Sequence, residues 1–110
     1  MTITIPKLLA QTLPTAATLT NFYAVPAGLR CTATRLFACN TTAGATTFRL
    51  AVAPNAEPDA LKHYLYYDTA LAANETKNLE LDLRLSAADL LRIYTPGVNV
   101  SFTLFGIEET

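Results

Sequence analysis

The chain is poor in the residues that catalytic and metal sites use most often. It has no tryptophan, one histidine (His63) and two serines (Ser86 and Ser101) among its 110 residues. A single histidine excludes the common zinc ligand sets and every site that needs two imidazoles. Neither serine lies in a nucleophile motif, so a triad with His63 and Asp68 would rest on residue type alone. We therefore predict no enzyme activity and no metal site, and we expect His63 to be a hydrogen-bonded strand residue.

Charge is also scarce. Charged residues make up 15% of the chain and the formal net charge is −1, whereas an ordinary soluble domain has about 25% charged residues. The basic residues are scattered, which argues against nucleic-acid binding. A surface with few charges repels other copies weakly, so the composition indicates assembly. An ordinary domain with a threonine-rich surface is the alternative.

Long hydrophobic runs and targeting signals are missing. No apolar run approaches the roughly 18 residues that a membrane-spanning helix needs. The first ten residues lack the basic and apolar regions of a secretion signal. We expect a soluble protein made in the cytosol, with no membrane partner. A glycine-rich phosphate loop is also absent, so we predict no cofactor.

The two cysteines, Cys31 and Cys39, lie eight positions apart in one predicted strand. At about 3.3 Å per residue, such a strand separates them by more than roughly 20 Å. A disulfide needs Cα atoms within about 7 Å. We therefore expect both to be reduced thiols in the core.

The dominant pattern in the sequence is the alternation of apolar and polar residues with a period of two. The clearest strand runs from Lys77 to Leu85, where leucine occupies every second position and the other face is wet. Further strands are predicted over residues 18–25, 29–39, 47–52, 63–69, 91–94 and 98–105. This count and spacing predict an all-β fold, an antiparallel β-sandwich or jelly roll of seven to eight strands. The domain spans residues 17–110, and residues 1–16 are predicted to be an N-terminal arm that reaches a neighbouring subunit.

Turn residues predict how some strands pair. The strand over 18–25 ends at Pro26 and Gly28 and is expected to pair with the long strand over 29–39. Residues 91–94 and 98–105 flank Pro96 and Gly97 and are expected to form a hairpin. The segment from Ser86 to Asp89 is predicted to be a turn that leads into a strand.

Two features of the strands allow more than one interpretation. Arg35 falls on the apolar face of its strand, so either it points to a subunit boundary or a bulge near Thr34 shifts the alternation. Glu80 and Asp82 share a strand face, as a pair of catalytic carboxylates or a cation site would. We interpret these two carboxylates as part of a solvated face.

The segment from His63 to Asp68 is the most informative polar and aromatic feature. In a regular strand Tyr64 and Tyr66 share one face, while Leu65 and Tyr67 share the other. Two tyrosines on a face fit a protein interface or a sugar-stacking platform, since tyrosine combines a large ring with a hydrogen-bonding tip. Buried core tyrosines are the third possibility. The candidate interface residues are Tyr64, Tyr66, Tyr94, Arg35 and Phe105.

Five segments stand out in the sequence: FYAVPAG (22–28), CNTTAGATTFRLAVAP (39–54), HYLYYD (63–68), AANETKNLELDLRLSAADLLRIY (72–94) and SFTLFGIE (101–108). In this order they resemble small virion proteins of tailed bacteriophages, including cyanophages. The resemblance implies a β-sandwich structural subunit of the particle, as a head decoration, neck, or tail and baseplate component. It implies no catalytic residue. One departure is Ala88, where such proteins often have glycine.

The resemblance implies a virion protein made in the host cytoplasm and packed against other virion proteins. We expect a homo-oligomer, with a trimer as the first guess. The alternative function is a carbohydrate-binding module of a tail fibre that contacts host glycans through Tyr64 and Tyr66.

Overall fold

The computed structural model describes residues 4–110 and contains eight β-strands. Their bounds are β1 Thr4–Thr12, β2 Thr20–Ala24, β3 Arg30–Asn40, β4 Thr46–Ala53, β5 Tyr64–Leu71, β6 Thr76–Leu85, β7 Leu90–Tyr94 and β8 Val100–Glu109. Two short 3₁₀ turns, Pro54–Ala56 and Leu61–His63, lie between β4 and β5. Over the described residues, no helix is long and apolar enough to cross a membrane.

The strands form two four-stranded antiparallel sheets. Sheet I has the order β1-β8-β3-β6, and sheet II has the order β2-β7-β4-β5. The pairs β1 with β8, β2 with β7, β3 with β6 and β4 with β5 are all antiparallel. Nested pairing of eight strands across two packed sheets defines a jelly roll. The predicted fold class is therefore confirmed.

Two predicted strand pairings are wrong, because β2 and β3 lie in different sheets, as do β7 and β8. β2 pairs with β7 rather than with β3, and β8 pairs with β1 and β3 rather than with β7. The turns after Pro26 and at Pro96 therefore carry the chain from one sheet to the other. Turn residues show where the chain reverses, but they do not show which strand it joins.

The predicted N-terminal arm also needs correction. Residues 4–12 of that segment form β1, which pairs along its length with β8, while residues 1–3 lie outside the described part of the chain. The side chains of β1 are mostly exposed, and its register shifts between Leu8 and Ala10. An exposed strand with a bulge has no regular alternation, so its sequence does not show the strand.

Aromatic residues from both sheets meet in the core. Phe102 of β8 is fully buried, and its ring centroid lies 6.2 Å from that of Phe48 on β4 and 6.4 Å from that of Phe22 on β2. Both contacts are edge-to-face, the geometry that the charge distribution of aromatic rings favours. Aliphatic residues surround these rings: Leu36, Leu50, Leu91, Ile93 and Leu104 are all inaccessible to solvent.

A bulge in β3 explains the exposed position of Arg35. The register of β3 with both neighbours shifts between Ala33 and Arg35, and the Thr34 hydroxyl donates a hydrogen bond of 3.2 Å to the Phe105 carbonyl. Before the shift Ala33 faces the core, and after it Leu36 does. Of the two interpretations of Arg35 given above, the structure shows the bulge near Thr34.

The bulge also changes the position of one cysteine. Cys31, before the bulge, is buried, whereas Cys39, after it, is only half-buried. Both thiols are free, as predicted, but only Cys31 belongs to the core.

Candidate interaction surface

The five predicted interface residues lie in three different places. Arg35 and Phe105 lie on the outer face of sheet I. Tyr64 and Tyr94 lie on the outer face of sheet II, and Tyr66 packs against the core. They therefore do not form one site.

The outer face of sheet I carries a continuous set of apolar side chains from three strands. Leu8 of β1 is paired with Phe105 of β8. Two residues along each strand, and so on the same face, Pro6 is paired with Ile107. The Phe105 ring packs edge-to-face on Phe37 of β3, with centroids 5.9 Å apart. Leu8 is 45% exposed and Phe105 is 39% exposed. We call Pro6, Leu8, Phe37, Phe105 and Ile107 the apolar patch.

Polar side chains border the apolar patch. Arg35 lies next to Phe105 in the sheet and is 3.9 Å from the Glu80 carboxylate on β6. On the other side, the Gln11 amide donates a 3.3 Å hydrogen bond to the Thr103 hydroxyl. An apolar centre with a polar rim is the usual arrangement of a protein interface.

The outer face of sheet II is organised around Arg49 of β4. Its guanidinium carbon lies 4.1 Å from the ring centroid of Tyr67 and 4.5 Å from that of Tyr94. Its Nε and Nη2 donate hydrogen bonds of 2.6 and 3.3 Å to the two Asp68 oxygens. These bonds raise the pKa of Arg49 further above its ordinary value. The guanidinium thus covers one face of each ring. It finds its stacking partners and a carboxylate acceptor within the cluster.

Two irregularities of β5 decide which tyrosines reach this cluster. Tyr64 is paired with Ala51 and Tyr66 with Leu50, so Leu65 is an extra residue between them. A second shift follows, where Asp68 has a φ of +48°. As a result Tyr64 and Tyr67 pack against each other, with centroids 5.0 Å apart, whereas Tyr66 packs on Phe48 at 5.9 Å. The prediction that Tyr64 and Tyr66 share a face is therefore wrong.

A buried carboxylate links the two sheets. Glu108 of β8 is 8% exposed, accepts a 2.8 Å hydrogen bond from the Tyr23 hydroxyl of β2 and lies 2.9 Å from the Lys7 ammonium of β1. Two contacts lower the pKa of Glu108, and the one with Lys7 has a larger effect than the one with Tyr23. Burial, and then Glu108, raise the pKa of Tyr23. The sequence analysis does not identify this group, because its members come from three distant strands.

The residues considered for catalysis are engaged with other partners. His63 is buried in the second 3₁₀ turn rather than in a strand, and its Nε2 is 3.1 Å from the Glu57 carboxylate. Asp68 is bound by Arg49. Glu80 and Asp82 are 82% and 72% exposed and lie near Arg35 and Arg84. Within residues 4–110, no group of three or more His, Cys, Asp or Glu side chains is placed to hold a metal ion.

An open depression of about 410 Å³ lies at one end of sheet I, between β3, β6 and β8. Its lining consists of Arg30, Cys31, Thr32, Arg84, Leu85, Ser86 and Glu109. Burial raises the pKa of the Cys31 thiol, so this thiol is protonated and a poor nucleophile at neutral pH.

No family model, curated protein or solved structure matches the chain.

Proposed function

We propose that the protein is a non-enzymatic structural subunit of a bacteriophage particle, whose copies associate with one another and pack on other virion proteins. The observation that carries this proposal is the apolar patch on the outer face of sheet I. Contiguous exposed apolar side chains with a polar rim mark interaction sites on protein surfaces. The low charge of the chain reduces repulsion between copies and so supports the same conclusion.

The fold agrees with this role by analogy. Viral capsid domains and lectins both use the jelly roll, although a fold alone does not determine function. The resemblance to virion proteins of tailed phages favours the first of these two classes. Head decoration, neck, and tail or baseplate are all positions that such a subunit can occupy, and the trimer stays a prediction.

The alternative, a glycan-binding module, receives less support from the arrangement of the tyrosines. Tyr64 and Tyr66 lie on opposite faces of β5, so they cannot together stack on one sugar. Arg49 covers a face of Tyr67 and a face of Tyr94. A sugar platform needs an open aromatic face, and Arg49 already occupies one of the two faces of each ring.

Quantitative mass spectrometry of gradient-purified particles tests the proposal. The chain should be present in many copies per particle of the phage that encodes it. Its absence from particles, together with abundance in the infected cell, would show that it is not a virion subunit. A glycan array run on the same protein tests the alternative, which would be favoured by binding that Tyr67→Ala abolishes.

A further inference from the structure

Four strands form the lateral edges of the two sheets, and three of them carry features that hinder pairing with another chain. β1 contains Pro6, which has no N–H to donate, and a register shift after Leu8. β2 is only five residues long. β5 has two register shifts and a left-handed residue, Asp68. Prolines, bulges and short length are the usual protections of an exposed sheet edge.

The fourth edge strand, β6, is the least protected, because a register shift with β3 and its charged side chains are its only protections. It is ten residues long, contains no proline and no residue with positive φ, and alternates exposed and half-buried positions from Thr76 to Arg84. Its register with β3 shifts beside Ala33 and Arg35, but the alternation within β6 continues through that point. β6 is therefore the edge on which a further strand can pair most readily.

The leucines on the inner face of β6 are incompletely covered. Leu79, Leu81 and Leu83 pack against the core, yet each is only half-buried. β1 and β2 contact each other at one side of the sandwich, so β6 and β5 are the edge strands of the opposite side. This leaves an apolar seam beside β6 that another strand would cover.

We propose that β6 pairs antiparallel with β6 of a second copy, about a two-fold axis through Leu83, so that sheet I continues from one copy into the other. This inference rests on the proposed function, since it names the contact by which copies associate. A two-fold contact gives a dimer, or an even number of copies where the apolar patch adds further contacts. It does not by itself give the trimer expected from the sequence.

Among the registers centred on a residue of β6, the one centred on Leu83 brings opposite charges of the outer face together without placing like charges opposite one another. With Leu83 on the axis, Arg84 of each copy lies opposite Asp82 of the other, and Leu81 lies opposite Leu85. Opposite charges across a strand pair stabilise it, and like charges destabilise it. Registers centred on Glu80, Leu81, Asp82 or Arg84 each place like charges opposite one another.

The two charged side chains are available for this exchange. Within one copy Arg84 and Asp82 are 3.4 Å apart, and their side chains are 81% and 72% exposed. An exposed pair of this kind is held weakly. On association each side chain gains an opposite charge from the second copy without leaving the face on which it already lies.

Charge reversal tests the contact. Asp82→Arg or Arg84→Asp alone converts two opposite-charge pairs into two like-charge pairs, so each should raise the dissociation constant of the dimer at least about tenfold in sedimentation experiments. The double variant D82R/R84D restores opposite charges and should restore association. Lys62→Glu, which makes the same charge change as Arg84→Asp on an exposed turn, is the matched control and should have no effect.

The outcomes separate this inference from the proposed function. If the wild-type protein associates but the single variants behave like Lys62→Glu, or the double variant fails to recover, the β6 contact is overturned while self-association stands. If the wild-type protein is a monomer at every concentration, the β6 contact and the proposed self-association are both overturned. Hydrogen exchange gives a second measurement: amides of β6 should exchange more slowly in the associated protein, and unchanged exchange there would refute the contact.

Discussion

Leu8 on β1 lies directly opposite Phe105 on β8, and both side chains point away from the core. The pair forms the centre of the apolar patch, where Phe105 also packs on Phe37. A solvated sheet face does not need these three side chains, whereas a face that meets another protein does.

Replacing Phe105 with lysine should weaken self-association through sheet I. The change places a charge in the centre of the apolar patch, so we expect at least about a tenfold increase in the dissociation constant. Light scattering over a concentration series measures it.

Leu61→Lys is the matched control for this variant. Leu61 is 81% exposed and lies in the second 3₁₀ turn, outside the patch. It should leave association unchanged. Equal effects of the two substitutions would show that net charge, rather than the apolar patch, controls association.

Tyr66 and Tyr67 should respond differently to truncation, because the irregularities of β5 place them on opposite faces. Tyr66→Ala removes a ring that packs on Phe48 and should cost about 2–4 kcal/mol in the free energy of unfolding. Tyr67 is 50% exposed, so Tyr67→Ala should cost less than about 1 kcal/mol, mainly the stacking with Arg49. Urea denaturation measures both, and a larger loss for Tyr67 would contradict this placement.

Acid should destabilise the protein partly through Glu108. Lys7 and Tyr23 lower its pKa below the ordinary value of 4.5 in the folded state. Stability from this group is therefore complete above the unfolded-state pKa and is lost as the pH falls through the folded-state pKa. The free energy of unfolding should fall less between about pH 5 and pH 3 in Glu108→Gln than in the wild type. Lys7→Met should also make this fall smaller than in the wild type. Parallel curves of the free energy of unfolding against pH for all three proteins would contradict this role of Glu108.

Gly106 should not tolerate a side chain. A Cβ at this position would lie 2.5 Å from the Thr32 carbonyl oxygen and 2.6 Å from Leu9 Cδ1. Gly106→Ala should therefore cost about 1–3 kcal/mol in the free energy of unfolding. Gly44→Ala is the control, because nothing lies within 4 Å of its added Cβ, and it should change stability by less than about 0.5 kcal/mol. Equal melting temperatures of the two variants would contradict the close approach at Gly106.

Regular strands of this protein can be predicted from sequence, whereas their partners cannot. The alternating leucines of β6 identify a strand and its inner face, because side chains of a strand point alternately to its two sides. The strand that pairs with β7 cannot be predicted in this way. The turn at Pro96 has the same sequence whether the next strand, β8, pairs with β7 or crosses to the other sheet. Pairing in a jelly roll is decided by contacts between strands that are far apart in the sequence.

Bulges limit the prediction of the candidate surface. One extra residue at Leu65 places Tyr66 against the core and Tyr64 next to Tyr67, and the bulge at Thr34 turns Arg35 outward. Phe105 lies in a regular part of β8, and its exposed position follows from the alternation alone. The sequence pattern therefore gives correct faces only where the strand is regular.

The molar mass of the wild-type protein in solution tests the central claim most directly. Sedimentation velocity from about 1 to 100 µM, a range that covers the micromolar affinities of many specific complexes, should show a species at a multiple of 11.9 kDa that grows with concentration. A single species of 11.9 kDa over the whole range would contradict the claim that this jelly roll associates with its own copies.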